Sequence, residues 1–133
     1  MTDHQTTHQA VEDARNEQIR IWLNGRIVPK ADALVSVYDS GFMLGDCVWE
    51  GLRLYYGVWA FADEHLDRLF EAAKAIDLDI GMTPDDLMRA LQDTAEANSM
   101  VSDAHARLMV TRGIKTRPFQ HPSLSQQGPT VTI

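Results

Sequence analysis

The dipeptide Asn24-Gly25 is the feature that most restricts what this chain can become. Both residue types tolerate positive φ, so the pair closes a two-residue hairpin with the twist that flanking strands require. Before it, Ile19, Ile21 and Leu23 alternate with Arg20 and Trp22, a period-2 pattern that predicts a strand. After it, Arg26 to Val28 predicts the return strand, stopped at Pro29. The chain therefore begins its order as antiparallel β-structure. Residues 1–16 are polar and aperiodic and read as a disordered extension, which leaves residues 17–133 as one folded domain.

Five further segments read as extended. Val35 to Val37 reads as a short extended piece and Asp39-Ser-Gly41 as a turn. Val48 to Tyr55 is rich in aromatic and branched residues and predicts a strand. Tyr56-Gly57 turns it into a hairpin with Val58 to Phe61. Arg107 to Thr111 and Thr130 to Ile133 read as two more strands. Helices fill the gap between these pieces. Leu66, Leu69, Phe70, Ala73 and Ile76 recur at helical spacing after Asp63, read as the cap. A second helix opens at Thr83, with Pro84 in the first position and Asp85-Asp86 at its positive end, and stops near Asn98. The expected fold class is α+β: an antiparallel sheet with two helices packed on one face. Gly113 to Gln127 is a long loop, and loops of that length in compact domains are often functional. The β-branched run at Thr130–Ile133 is an unusual place for a domain to end, so the chain reads as the front portion of a longer protein.

Composition removes several function classes. The chain has 133 residues, with 12 Lys and Arg against 19 Asp and Glu. That balance is the wrong sign for nucleic-acid binding. No apolar run approaches the roughly 20 residues of a membrane helix. Cys47 is the sole cysteine, which fits a reducing, cytoplasmic setting. His4, His8, His65, His105 and His121 have no metal-ligand spacing. Cys47 has no nearby histidine, so no nucleophile–base pair is legible.

Three clusters could bind a ligand. Trp49, Gly51 and Arg53 share one face of their strand, giving an aromatic wall, bare backbone and a cation. The competing reading is a half-buried strand whose arginine reaches water. Arg68 lies beside the apolar stripe of its helix, where its planar fork would suit a phosphate or carboxylate. A pair with Glu64 or a snorkelling side chain would serve equally. The segment Thr111-Arg-Gly-Ile-Lys-Thr-Arg-Pro118 carries three cations that could hold an anion, or form a solvated basic loop.

Taken in order, these segments resemble the N-terminal half of the class IV (fold-type IV) pyridoxal-phosphate aminotransferases. The resemblance runs from the hairpin Trp22–Val28 through Asp39–Asp46, Val48–Tyr55, His65-Leu-Asp-Arg-Leu69 and Val110-Thr-Arg-Gly113, with Arg117 last. The Trp-Glu-Gly-Leu-Arg stretch is similar to the branched-chain branch, and Thr-Arg-Gly with Arg117 to the D-amino-acid branch. The resemblance implies that Arg68 binds the phosphate of pyridoxal 5′-phosphate. It implies that Trp49, Gly51 and Arg53 line the substrate pocket and that Arg117 meets a substrate carboxylate. The D-amino-acid branch carries a histidine two residues after that arginine, where this chain has Phe119. The family's Schiff-base lysine belongs to a second domain, and Lys30, Lys74 and Lys115 do not match it, so no catalytic residue is assigned in this chain. A homodimer acting on an amino acid and a 2-oxo acid is implied. Two alternatives stand: an aminodeoxychorismate lyase-like enzyme on the same fold, or a non-catalytic domain that binds an anion or a partner.

Overall fold

In the structure, a computed structural model, residues 12–117, 119 and 121–133 are described. The first eleven residues of the expected extension lie outside that set. Residues Ala14–Asn16 form a single 3-10 turn capped by Asp13, and Arg15 donates to the carbonyls of Ser102 and Asp103 at 3.0 Å each. These two hydrogen bonds join Arg15 to the residues just before Ala104.

The sheet has six strands: β1 (Arg20–Leu23), β2 (Arg26–Pro29), β3 (Cys47–Tyr55), β4 (Val58–Trp59), β5 (Ala104–Thr111) and β6 (Thr130–Thr132). All pair antiparallel in the order β2-β1-β6-β5-β3-β4. The Asn24-Gly25 turn forms as expected, with φ of 47° and 86°. The last strand of the chain, β6, lies inside the sheet, between β1 and β5.

Two helices, α2 (Ala62–Ala75) and α3 (Pro84–Ala97), cover one face, as the sequence patterns require. α2 buries Leu66, Leu69 and Ala73, and α3 buries Leu87, Leu91 and Ala95. They meet Val48, Leu52 and Leu54 of β3, Leu108 and Val110 of β5, and Trp22 of β1 in one core. On β1, therefore, Trp22 points to the helices, while Leu23 pairs with Thr132 on the opposite face. α3 begins with a capping box. Thr83 Oγ1 accepts from the Asp86 N–H at 3.2 Å, and the Asp86 carboxylate accepts from the Thr83 N–H at 2.9 Å.

Four local readings are corrected. Val35–Val37 pairs with no strand and its valines are exposed. Asp39-Ser-Gly41 is not a free turn but the start of a short helix, α1 (Ser40–Leu44), capped by Asp39. β4 ends at Trp59 instead of Phe61, because Phe61 takes a left-handed conformation (φ 53°) that cannot continue a strand. Phe61, not Asp63, is consequently the cap of α2, and Asp63 lies in its first turn.

Candidate active site

Alternation along β3 sends Val48, Glu50, Leu52 and Leu54 to the helices and Trp49, Gly51 and Arg53 to the uncovered face, as expected. The register with β5 places Met109 opposite Trp49, Arg107 opposite Gly51 and His105 opposite Arg53. The Arg107 guanidinium lies 4.4 Å from the centre of a Trp49 ring, a cation–π contact. Gly51 leaves room for the exposed His105 side chain. A Cβ at this position would stand 2.9 Å from His105 Cε1, so the imidazole occupies the space a side chain would fill. Partial burial lowers the His105 pKa from its ordinary value, and the charges of Arg53 and Arg107 lower it further. The result is a surface with an aromatic wall, a neutral imidazole and two guanidinium groups. Arg107 and His105 were not singled out from sequence. The alternation of His105, Arg107 and Met109 with Ala104, Ala106 and Leu108 would have revealed them had the strand been started three residues earlier.

Arg68 reaches β3 from the other side. Its Nε donates to Glu50 Oε1 and its Nη2 to Glu50 Oε2, both at 2.6 Å. His65 Nδ1 lies 2.8 Å from Glu50 Oε2 and 3.3 Å from Arg68 Nη2. The partner is thus Glu50, eighteen positions earlier, and not Glu64. Glu50 is buried among apolar neighbours. The Arg68 hydrogen bond holds its carboxyl below the usual range, against the effect of burial, and His65 adds to this. Arg68 itself stays two-thirds exposed, and no hydrogen bond to its Nη1 is found among the described residues.

The Trp49 row and Arg68 therefore occupy opposite faces of β3. The outer edge of β3 runs between them. β4 pairs with Leu54 and Tyr55 alone, so among the described residues Cys47–Leu52 has no strand on its outer side.

The basic segment after β5 is mostly structural, and Pro118 within it lies outside the described residues. Arg112 is buried and grips Asp46 at two points, Nε to Oδ2 at 2.8 Å and Nη2 to Oδ1 at 3.0 Å. It also donates to the Ile76 and Asp77 carbonyls at the end of α2, at 2.6 Å each. Lys115 is buried and donates to Asp46 Oδ2 at 2.9 Å and to the Phe119 carbonyl at 3.1 Å. Burial alone would raise the Asp46 pKa, but Arg112 and Lys115 together hold it below the ordinary value. This corrects both readings of the segment: two of its three cations are neither solvated nor free for a substrate. Arg117 alone is exposed.

Asp39 holds the neighbouring end of the open face. Its buried carboxylate accepts from the Gly41 N–H at 2.8 Å and from the hydroxyls of Thr111 at 2.9 Å and Thr130 at 2.7 Å. A Cβ at Gly41 would collide with Thr111, so α1 can lie against β5 only with glycine there.

Residues 47–133 match the family described as Amino-transferase class IV, and the chain belongs to that family. It is 43% identical over 96 residues to a putative branched-chain-amino-acid aminotransferase of Methanocaldococcus jannaschii, covering 72% of this chain and 33% of that protein. It is 39% identical over 103 residues to a D-alanine aminotransferase of Listeria innocua, covering 77% and 35%. The branched-chain amino acid aminotransferase of Escherichia coli superposes with a TM-score of 0.78 at 28% identity, over 87% of this chain and 38% of that one. The chain thus spans about a third of the length of these curated relatives.

Proposed function

We propose that this chain is the N-terminal domain of a pyridoxal 5′-phosphate-dependent aminotransferase that moves an amino group between an amino acid and a 2-oxo acid. In this reading Arg68 is the cofactor-phosphate anchor, and Trp49, Gly51 and Arg53 form one wall of the substrate pocket. Arg107 and His105 join that wall. The observation that carries the reading is the Arg68 guanidinium, held on one edge by Glu50 of β3 and two-thirds exposed, against the strand whose other face carries the Trp49 row. The residues present fit the cofactor's phosphate at one contact, because Arg68 keeps an outward edge after pairing with Glu50.

The cofactor would supply the electron sink for the transfer, and the protein supplies binding and orientation. Arg53 and Arg107 flank the open face, and either guanidinium can pair with a substrate carboxylate. Neutral His105 packs over Gly51 and presents its imidazole, in place of bare backbone, toward the ligand. Trp49 closes one side of the pocket and, with Met109, offers apolar surface to a branched or small side chain. Arg117, exposed on its loop, adds positive charge for a carboxylate.

The amine that carries the cofactor is proposed to lie outside these 133 residues. Lys115 is committed to Asp46 and the Phe119 carbonyl, and Lys30 donates to the Asn16 carbonyl. Lys74 is exposed on α2, in its last turn. The chain alone should then bind the cofactor weakly and show no turnover. A homodimer in the cytoplasm is part of the same proposal. In line with it, no helix among the described residues is long and apolar enough to cross a membrane.

The test uses the longer gene product that contains this chain. Arg68→Ala should weaken cofactor binding by about tenfold or more, the usual scale for losing a charge-assisted contact. Unchanged cofactor affinity would remove the anchor role.

A further inference from the structure

Glu50 is the anomaly of β3. The alternation that buries Val48, Leu52 and Leu54 against the helices also buries position 50, yet it holds a carboxylate. A buried carboxylate is costly unless fully paired. It is paired here, by two donors of Arg68 and by His65. The pairing geometry has a consequence for Arg68. A guanidinium carries five N–H bonds. Glu50 takes the edge formed by Nε and Nη2, which leaves both Nη1 hydrogens and the second Nη2 hydrogen on the adjacent edge. That edge belongs to a side chain two-thirds exposed.

We propose that Glu50, supported by His65, is a positioning residue that fixes the Arg68 guanidinium with its Nη1/Nη2 edge outward, ready to take a phosphate. The inference rests on the reading of Arg68 as the phosphate anchor. Its physical basis is preorganisation. A free arginine loses rotamer freedom when it closes on an anion, whereas one already clamped on its inner edge has little left to lose. The negative charge of Glu50 works in the opposite direction, since it repels a nearby phosphate. The sign of the effect of a substitution therefore separates orientation from simple charge. His65 Nδ1 lies 2.8 Å from the same carboxylate and 3.3 Å from Arg68 Nη2, so it supports the clamped pair.

The test is an NMR titration of the 133-residue chain with pyridoxal 5′-phosphate and, separately, with pyridoxal, which lacks the phosphate. Backbone amides of β3 and α2 report the dissociation constants. Glu50→Asp keeps the charge but shortens the reach, and Glu50→Gln keeps the reach but removes the charge. Both should raise the constant for pyridoxal 5′-phosphate about fivefold or more and leave that for pyridoxal unchanged. In an Arg68→Ala background the Glu50 substitutions should change nothing further. If Glu50→Gln does not fold, Glu50→Asp decides alone. Wild-type affinity in Glu50→Asp, tighter phosphate binding in Glu50→Gln, or equal weakening toward both ligands would each overturn the positioning role. A wild-type chain that does not distinguish the two ligands, or an Arg68→Ala chain that distinguishes them equally well, would instead overturn the anchor reading itself.

Discussion

Arg112 and Asp46 are locked together in the interior by two parallel hydrogen bonds of 2.8 Å and 3.0 Å. The same guanidinium closes the C-terminal end of α2 through the Ile76 and Asp77 carbonyls. One residue after β5 thus joins the start of β3 to the end of the helix that carries Arg68. Truncation would strand the Asp46 carboxylate with Lys115 as its remaining cation and leave two helix-end carbonyls unpaired. Arg112→Ala should cost about 3–5 kcal/mol of stability. Urea unfolding of the variant against wild type checks this, and a loss below about 1 kcal/mol would contradict it.

Asp39 is the corresponding clasp on the open face. Asp39→Ala leaves the Thr111 and Thr130 hydroxyls and the Gly41 amide without their acceptor. The expected loss is about 2–3 kcal/mol, the scale of buried polar groups left unmade. Gly41→Ala should also destabilise, through collision with Thr111. Amide exchange should show α1 opening in both variants before the rest of the sheet does.

Acid should unfold the domain through Asp46 and Glu50. Both carboxyls are held below their ordinary values of 3.8 and 4.5 in the folded state. Their contribution is complete above those values and is lost as pH falls through the lower folded ones. Glu50→Gln should remove part of this acid dependence in a melting-temperature series from pH 6 to pH 2. A variant with the same acid profile as wild type would contradict the role given to Glu50.

His105 titrates in a different window. Its folded pKa lies below the ordinary 6.5, so the unfolded chain binds the proton first. Stability is therefore full above about pH 6.5 and declines as pH falls below it, until the folded imidazole is protonated as well. His105→Gln should flatten the melting temperature between pH 7.5 and pH 5.5. A decline of unchanged size in the variant would show that His105 is not its source.

Much of the fold was legible because local chemistry and long-range packing agree. Asn24-Gly25 can do little but turn, and Thr83-Pro84 with Asp86 satisfies its own helix end. Alternation along β3 separated Trp49 from Glu50 correctly, since each face has a different environment. The failures are long-range. Arg112 and Lys115 look like surface cations until Asp46, 66 and 69 positions away, is brought beside them. Arg68 finds Glu50 on a strand, where helical spacing offered only Glu64. Phe61 caps α2 from a left-handed conformation that its residue type does not announce. His105 and Arg107 became visible as site residues only when the β3–β5 register set them against Gly51 and Arg53.

The central claim is that Arg68 receives the phosphate of the cofactor. The most direct measurement is the 31P resonance of pyridoxal 5′-phosphate titrated with the chain. The account predicts a saturable shift with the wild-type protein and its loss in Arg68→Ala, with the melting temperature of the variant still showing a folded domain. An identical 31P shift in the two proteins would contradict it.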